Sequence, residues 1–294
     1  MTVLNEVQRY LAPTRLQQAL AALAQPGGVT VLAGGTDLMP QSLAGKVKPA
    51  RMLLNIRRIE NLGGVHVEGG ELVIGALVAV TRLLGDPLVH QHAPLLVRAA
   101  EKFASDQIRN AATIGGNVCN ASPAGDLLTP LLALDAEIEL ARLADDGGVL
   151  TRRVPMADFV IAPGRTQRTA HELLTAVRLP VAQAGQVVRF YKGGTRQALD
   201  ISSISIALAA RRVGGDVLRD VRLALGAVGP TPLRAREAEA ALESARLDAD
   251  TIGAAAQAAA AGAKPIDDVR ASAWYRRELL RNMTERMLND VAQS

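Results

Sequence analysis

The sequence predicts an α+β chain of two domains, on three observations. Short apolar runs closed by glycine pairs read as strands, several of them joined as hairpins. Other segments repeat apolar residues at helical spacing. The pattern also changes near residue 60 and again near 180–186, where Pro180 and an Ala-Gln-Ala-Gly stretch interrupt it. The 294 residues suffice for two ordinary domains, and 49% hydrophobic against 21% charged residues permits a packed core. The expected division is 1–182, with parts of about 1–60 and 61–182, and then 186–294.

In chain order, Thr14 to Leu23 reads as a helix with Thr14 as N-cap. Val29 to Ala33 is a short strand ending in the turn Gly34-Gly35-Thr36-Asp37, and Met52 to Ile56 is a second strand. Val65 to Ile74 forms a hairpin around Gly69-Gly70. Thr81 to Phe103 has helical spacing broken at Pro87 and Pro94. Thr113 to Asn120 reads as a small-residue loop, and Asp126 to Leu134 as a short helix that Asp126 is suited to cap. Ala136 to Arg142 pairs with Val149 to Val154. Beyond 186, Ile204, Ile206 and Leu208, then Val221, Leu223 and Leu225, alternate as half-buried strands. Helices are expected at about 233–244, 248–262 and from Ser272 onward.

Composition narrows the function classes. The net charge of +4 comes from 33 basic residues, nearly all Arg, scattered among 29 acids. With 2% aromatic residues there is no stacking platform for bases, which argues against nucleic acid. No apolar run approaches the ~18 residues of a membrane span, and Met1 to Ala12 lacks a secretory pattern, so cytoplasmic residence is expected. The single cysteine, Cys119, excludes an internal disulfide and a cluster held by this chain's thiols alone, and is read as a packing residue. The histidines, at 66, 90, 92 and 171, show no third ligand for a metal.

Eight Gly-Gly pairs punctuate the chain. Pairs 69/70, 147/148 and 214/215 lie between alternating apolar runs and read as hairpin turns. Gly34-Gly35 and Gly115-Gly116 differ, because the first directly follows a strand and the second lies in Thr113-Ile114-Gly115-Gly116-Asn117. Glycine lets main-chain N–H groups converge on an anion, and Thr and Asn add neutral donors. Both segments thus have the composition of a diphosphate cradle, although spacing alone leaves two ordinary turns equally open. Neither holds Lys or Arg, so Arg109 is the nearest candidate counter-charge. Asp37 is expected to cap the following turn. The G-x-G-x-x-G and P-loop patterns are absent.

Ala33-Gly34-Gly35-Thr36-Asp37-Leu38 and the fourteen residues Thr113 to Asp126 closely resemble the two FAD-binding loops of the medium subunits of the xanthine dehydrogenase and carbon monoxide dehydrogenase family. Asp268 to Arg277 resembles that family's closing signature, so the resemblance runs essentially end to end. It implies a two-part FAD-binding unit of the vanillyl-alcohol-oxidase (PCMH) type, followed by a C-terminal α+β domain of the CO dehydrogenase flavoprotein type. It places the diphosphate on Val31, Leu32, Ala33, Gly34, Gly35, Thr36, Asp37 and Leu38, and on Thr113, Ile114, Gly115, Gly116 and Asn117. It further implies Phe103 against the adenine, Asp126 on a sugar hydroxyl, Leu174 (in Glu172-Leu173-Leu174) along the flavin, and Lys192 near the cofactor.

Each of the last four has a purely structural alternative: helix core for Phe103, strand core for Leu174, a helix cap for Asp126 and a solvated strand end for Lys192. The resemblance also implies partners: a small subunit with two [2Fe-2S] clusters and a large subunit with a molybdenum–pterin cofactor, assembled as a dimer of heterotrimers. In such a complex this chain passes electrons from the clusters to an external acceptor. A stand-alone flavin oxidoreductase of the same fold is the alternative, and it requires a general acid or base beside the flavin.

Overall fold

The computed structural model describes residues 7–196 and 199–294. The first part is a small parallel β/α unit. It comprises β1 (Arg9–Leu11), α1 (Leu16–Leu23), β2 (Val29–Leu32), α2 (Leu38–Leu43) and β3 (Met52–Asn55), with sheet order β1-β3-β2. α1 buries Ala19, Leu20, Ala22 and Leu23, the apolar stripe that its spacing predicts. Its N-cap is Arg15 rather than Thr14, whose carbonyl accepts from Glu60 N at 2.9 Å instead.

The second part begins with the hairpin β4 (Val65–Glu68) and β5 (Glu71–Gly75), turned by Gly69 and Gly70 at φ +59° and +81°. Helices α3 (Val80–Gly85), α4 (Pro87–His92) and α5 (Pro94–Glu101) follow. Pro87 and Pro94 each open a new helix, where the missing N–H costs nothing, and Asp86 caps Leu88 N at 3.0 Å. Next come α6 (Asp106–Ala111), α7 (Ile114–Asn120), α8 (Leu128–Ala133), β6 (Glu137–Leu143), β7 (Val149–Pro155), α9 (Met156–Phe159), β8 (Val160–Ala162), β9 (Arg165–Thr166) and β10 (Leu173–Pro180). The five-stranded sheet runs β4-β5-β10-β6-β7, all antiparallel along the pairs.

The third part is an antiparallel sheet of β11 (Gln186–Gly193), β12 (Ile204–Gly214), β13 (Val217–Gly226) and β14 (Leu233–Arg234). It is backed by α10 (Arg236–Leu242), α11 (Ala249–Gly262) and α12 (Ala273–Ala292). The helix expected from 233 starts later, since Leu233 and Arg234 pair with Leu225 and Ala224 as an edge strand.

Both faces of this last sheet are buried. Ile206, Leu208 and Leu223 pack on α10–α12, whereas Ala207, Ala209 and Ala224 belong to the core of the second part, against α5 and α8. Small residues let the helices come close: a Cβ on Gly226 would sit 2.3 Å from Thr129 Oγ1 and 2.4 Å from Ser205 Oγ. These two hydroxyls bond each other at 2.9 Å inside the joint. Gly226→Ala should therefore cost about 1–3 kcal/mol, read as a lowered urea midpoint in equilibrium unfolding.

Candidate functional site

A cleft of about 1560 Å³ opens where the three parts meet. Its first wall is the bend from β2 to α2. Among the described residues, the main-chain N–H groups of Gly34, Gly35, Thr36, Asp37 and Leu38 donate to no protein acceptor. Gly35 holds φ +75°, in the left-handed region, so the chain reverses with its donors left open. Asp37 precedes α2 but makes no capping hydrogen bond; its carboxylate accepts from Gln41 Nε2 instead.

The second wall is a helix where a loop was expected. Thr113 is the N-cap of α7, its hydroxyl accepting from Gly116 N at 3.1 Å. Ile114 N and Gly115 N donate to Val78 O and Ala76 O, each at 3.0 Å. The second Gly-Gly pair therefore spends its donors inside the protein. Its glycines serve close packing: a Cβ on Gly115 would stand 2.8 Å from Ala76. Asn117 Oδ1 accepts from Leu127 N at 3.3 Å, which leaves its amide donors for the cleft.

One contact brings the two walls together. A Cβ on Gly34 would lie 2.1 Å from the Ala111 carbonyl oxygen, so only glycine permits the β2–α2 bend to rest on the segment leading into α7.

Asp126 forms the joint with the third part. It is nearly buried and accepts from Lys192 Nζ at 2.7 Å and Ser202 Oγ at 2.9 Å. Burial pushes its carboxyl up, and Lys192 pulls it back. It does not cap the next helix, because Leu127 occupies that position without a side-chain bond. Lys192 is no solvated strand end: it also donates to Lys102 O at 3.1 Å and stands behind the wall, fixing Asp126.

Phe103 and Leu174 line the cleft and also belong to the main core. Val31, Ala33, Gly34 through Leu38, Thr113, Gly115, Gly116, Asn117 and Asp126 also line it. Leu32 and Ile114 lie behind it, Ile114 fully buried. Arg109 is not the counter-charge: its guanidinium donates to Phe103 O at 2.6 Å and pairs with Asp106. The cations on the lining are Lys46, Arg168, Lys264, Arg270 and Arg276, which spacing could not find because they come from distant segments. Cys119 sits on the wall with its thiol pushed up to about 11 by burial, so it stays protonated and unreactive. Gln197 and Ala198, within the Tyr191–Ile201 motif, lie outside the described residues.

The start of β10, whose Leu173 and Leu174 line the cleft, is anchored by Glu172. Arg152 grips both its carboxylate oxygens, at 2.5 and 2.9 Å, and Thr169 N adds a third donor at 2.8 Å. The Arg152 hydrogen bond above all holds the carboxyl at about 2, against an ordinary 4.5. A lowered acid pKa stabilises the fold above the ordinary value and is lost as pH falls through the lowered one. Glu172→Gln should cost about 1–3 kcal/mol at neutral pH. Urea unfolding across pH should show that difference shrinking between about 4.5 and 2.

Comparison with known proteins places this geometry. Residues 5–182 match the family model for the FAD binding domain in molybdopterin dehydrogenase, and residues 189–291 match the CO dehydrogenase flavoprotein C-terminal domain. The chain is 33% identical to the xanthine dehydrogenase FAD-binding subunit of Escherichia coli O157:H7, covering 96% of this chain and 95% of that one. It is 33% identical to the glyceraldehyde dehydrogenase medium chain of Sulfolobus acidocaldarius, covering 96% and 98%. Its fold superposes on a chain of the carbon monoxide dehydrogenase of Hydrogenophaga pseudoflava with a TM-score of 0.90, at 33% identity and 96% coverage of both. The α+β architecture of an FAD-binding unit followed by a CO dehydrogenase flavoprotein domain is thus the observed one. The chain belongs to the family of FAD-binding medium subunits of molybdenum-containing dehydrogenases.

Proposed function

We propose that the cleft holds one FAD and that this chain is the electron-transfer subunit of a molybdenum hydroxylase complex. The observation that carries it is the run of five unpaired main-chain N–H groups, Gly34 to Leu38, on the wall of a cleft large enough for a dinucleotide. These donors face the cleft without a protein acceptor, and phosphate oxygens are the acceptors that such a nest fits.

In this proposal residues 1–182 bind the cofactor and 186–294 close over it. Gly34 to Leu38 would hold the diphosphate by N–H donation, with Val31 and Ala33 beneath. The Thr113 hydroxyl and the Asn117 amide would add neutral donors from α7. Phe103 would meet the adenine, Asp126 a sugar hydroxyl, and Leu174 with Leu173 the flavin ring. Lys192 would act through Asp126, keeping that carboxylate ionised and oriented. When bound, FAD supplies the redox chemistry that links one-electron donors to two-electron acceptors.

The donors would be [2Fe-2S] clusters on a small partner subunit, fed by a molybdenum–pterin centre on a large one, in a cytoplasmic dimer of heterotrimers. A stand-alone enzyme would need a free acid or base here. Of the four carboxylates on the cleft lining, three are held by cations or by several donors, while Asp37 on the β2–α2 bend accepts from Gln41 Nε2. Asp126 is paired with Lys192, Asp200 accepts from Thr195 and Arg196 N, and Asp268 accepts from Arg276. Both Asp200 and Asp268 are held below their ordinary values, their hydrogen bonds outweighing burial.

Gly34→Ala forces the bend off Ala111 and should weaken FAD binding about tenfold or more, equivalent to about 1.4 kcal/mol. The measurement is flavin released per chain from purified protein, with circular dichroism verifying the fold. Undiminished flavin in a folded variant would refute the diphosphate assignment.

A further inference from the structure

Five cations line the cleft, and two of them, Arg270 and Arg276, face Asp268 at 3.7 and 2.6 Å. The other three, Lys46, Arg168 and Lys264, form no ion pair among the described residues. Lys46 and Lys264 are exposed, so water screens them, whereas Arg168 is half-buried. A partly desolvated charge acts more strongly on its surroundings than a solvated one.

Arg168 is also fixed in place. Its Nη1 donates to Thr169 O at 2.9 Å and to Glu172 O at 2.8 Å, and its main-chain N donates to Thr166 Oγ1 at 3.3 Å. Carbonyl oxygens satisfy such donors without neutralising the guanidinium, which stays charged at any ordinary pH. The acid of the same turn, Glu172, gives both carboxylate oxygens to Arg152 and one of them also to Thr169 N. Arg168 is thus anchored on carbonyls and keeps its charge for the cleft.

The helix α7 shows which end of the cleft receives that charge. Its start lies by the β2–α2 bend, which rests on Ala111, and Gly115 N there donates to Ala76 O. Ala76 N in turn donates to Thr175 O at 2.9 Å, so Thr175 of β10 stands near the same end. The far end of α7 meets Gly164, whose N–H donates to Ala121 O at 3.0 Å. Arg168 belongs to this far end, because its charge reaches the Cys119 thiol and pulls down the value that burial raises. The seven residues of α7 span about 10 Å. Following β10 back from Thr175 leads past Leu174 and Leu173 to Glu172 and Arg168, away from the open N–H groups of Gly34 to Leu38.

We infer that Arg168 is a fixed cation beside the flavin ring that biases the bound cofactor toward its reduced form. The inference rests on the proposed function, which lays that ring along Leu173 and Leu174. Oxidised flavin that takes up two electrons and one proton becomes an anion, its charge on the N1 and C2-oxygen edge of the ring. A cation held nearby stabilises that form over the neutral oxidised one and so raises the reduction potential. A residue that only braced the turn before β10 would leave the potential alone.

The test measures the two-electron midpoint potential of the full chain loaded with FAD, by spectroelectrochemical titration at neutral pH. Arg168→Gln removes the charge and should lower the reduction equilibrium constant about tenfold, a fall of about 30 mV for a two-electron couple. Arg168→Lys keeps the charge and should recover most of that fall. Arg165→Gln removes an exposed charge three positions away and off the cleft lining, and should leave the potential where it is. Arg168→Met gives the same reading as Arg168→Gln if the glutamine variant is unstable. A charge-free variant that holds flavin at the parent's potential overturns the inference and leaves the proposed function standing. So does weakened FAD affinity with an unmoved potential, which would make Arg168 a phosphate ligand, or an equal fall in Arg165→Gln. A parent chain that takes up no flavin overturns the proposed function and this inference together.

Discussion

The close approach of Gly34 to the Ala111 carbonyl is the constraint on which the site depends. No side chain larger than hydrogen fits between them, so the β2–α2 bend rests directly on the chain leading into α7. Two segments separated by five helices, a strand and a hairpin thereby become one wall. A methyl group there would move the bend outward and separate its N–H groups from Thr113 and Asn117.

The two bends divide the work unequally. The first keeps its donors open, as an anion site must, while the second uses its own to fasten α7 to Val78 and Ala76. Glycine is needed in both for different reasons: backbone reversal at Gly35 and tight packing at Gly115. Composition suggested a pair of equivalent cradles; hydrogen-bond accounting shows one bend with open donors and one that fastens a helix.

The C-terminal sheet is joined to the rest by small and polar groups. Alanines on its inner face admit α5 and α8, and the pairs Thr129–Ser205, Asp126–Lys192 and Asp126–Ser202 satisfy the polar atoms trapped between. Arg222 and Arg234 reach Asp135 at the edge of the same joint. A buried pair such as Asp126–Lys192 gives little net stability, because desolvation offsets its Coulomb energy, but losing either partner strands a charge. Its value is geometric: it fixes where one side of the cleft stands relative to the other.

The sequence alone determined the type of many elements, because periodicity and glycine or proline punctuation are local signals. The hairpin at Gly69-Gly70, the helix starts at Pro87 and Pro94 and the alternation around Ile206 could all be read directly. The motifs at 33–38 and 113–126 also identified the cofactor family. Tertiary structure decided what local signals do not encode. It made Thr113–Asn120 a helix, because Thr113 caps it and Ala76 and Val78 accept its first donors. It took Asp126 from helix capping to an ion pair with Lys192, 66 positions away in sequence. It also brought Lys46, Arg168 and Lys264 to one cleft. Long-range contacts and burial set these outcomes, and neither is a property of any short stretch of chain.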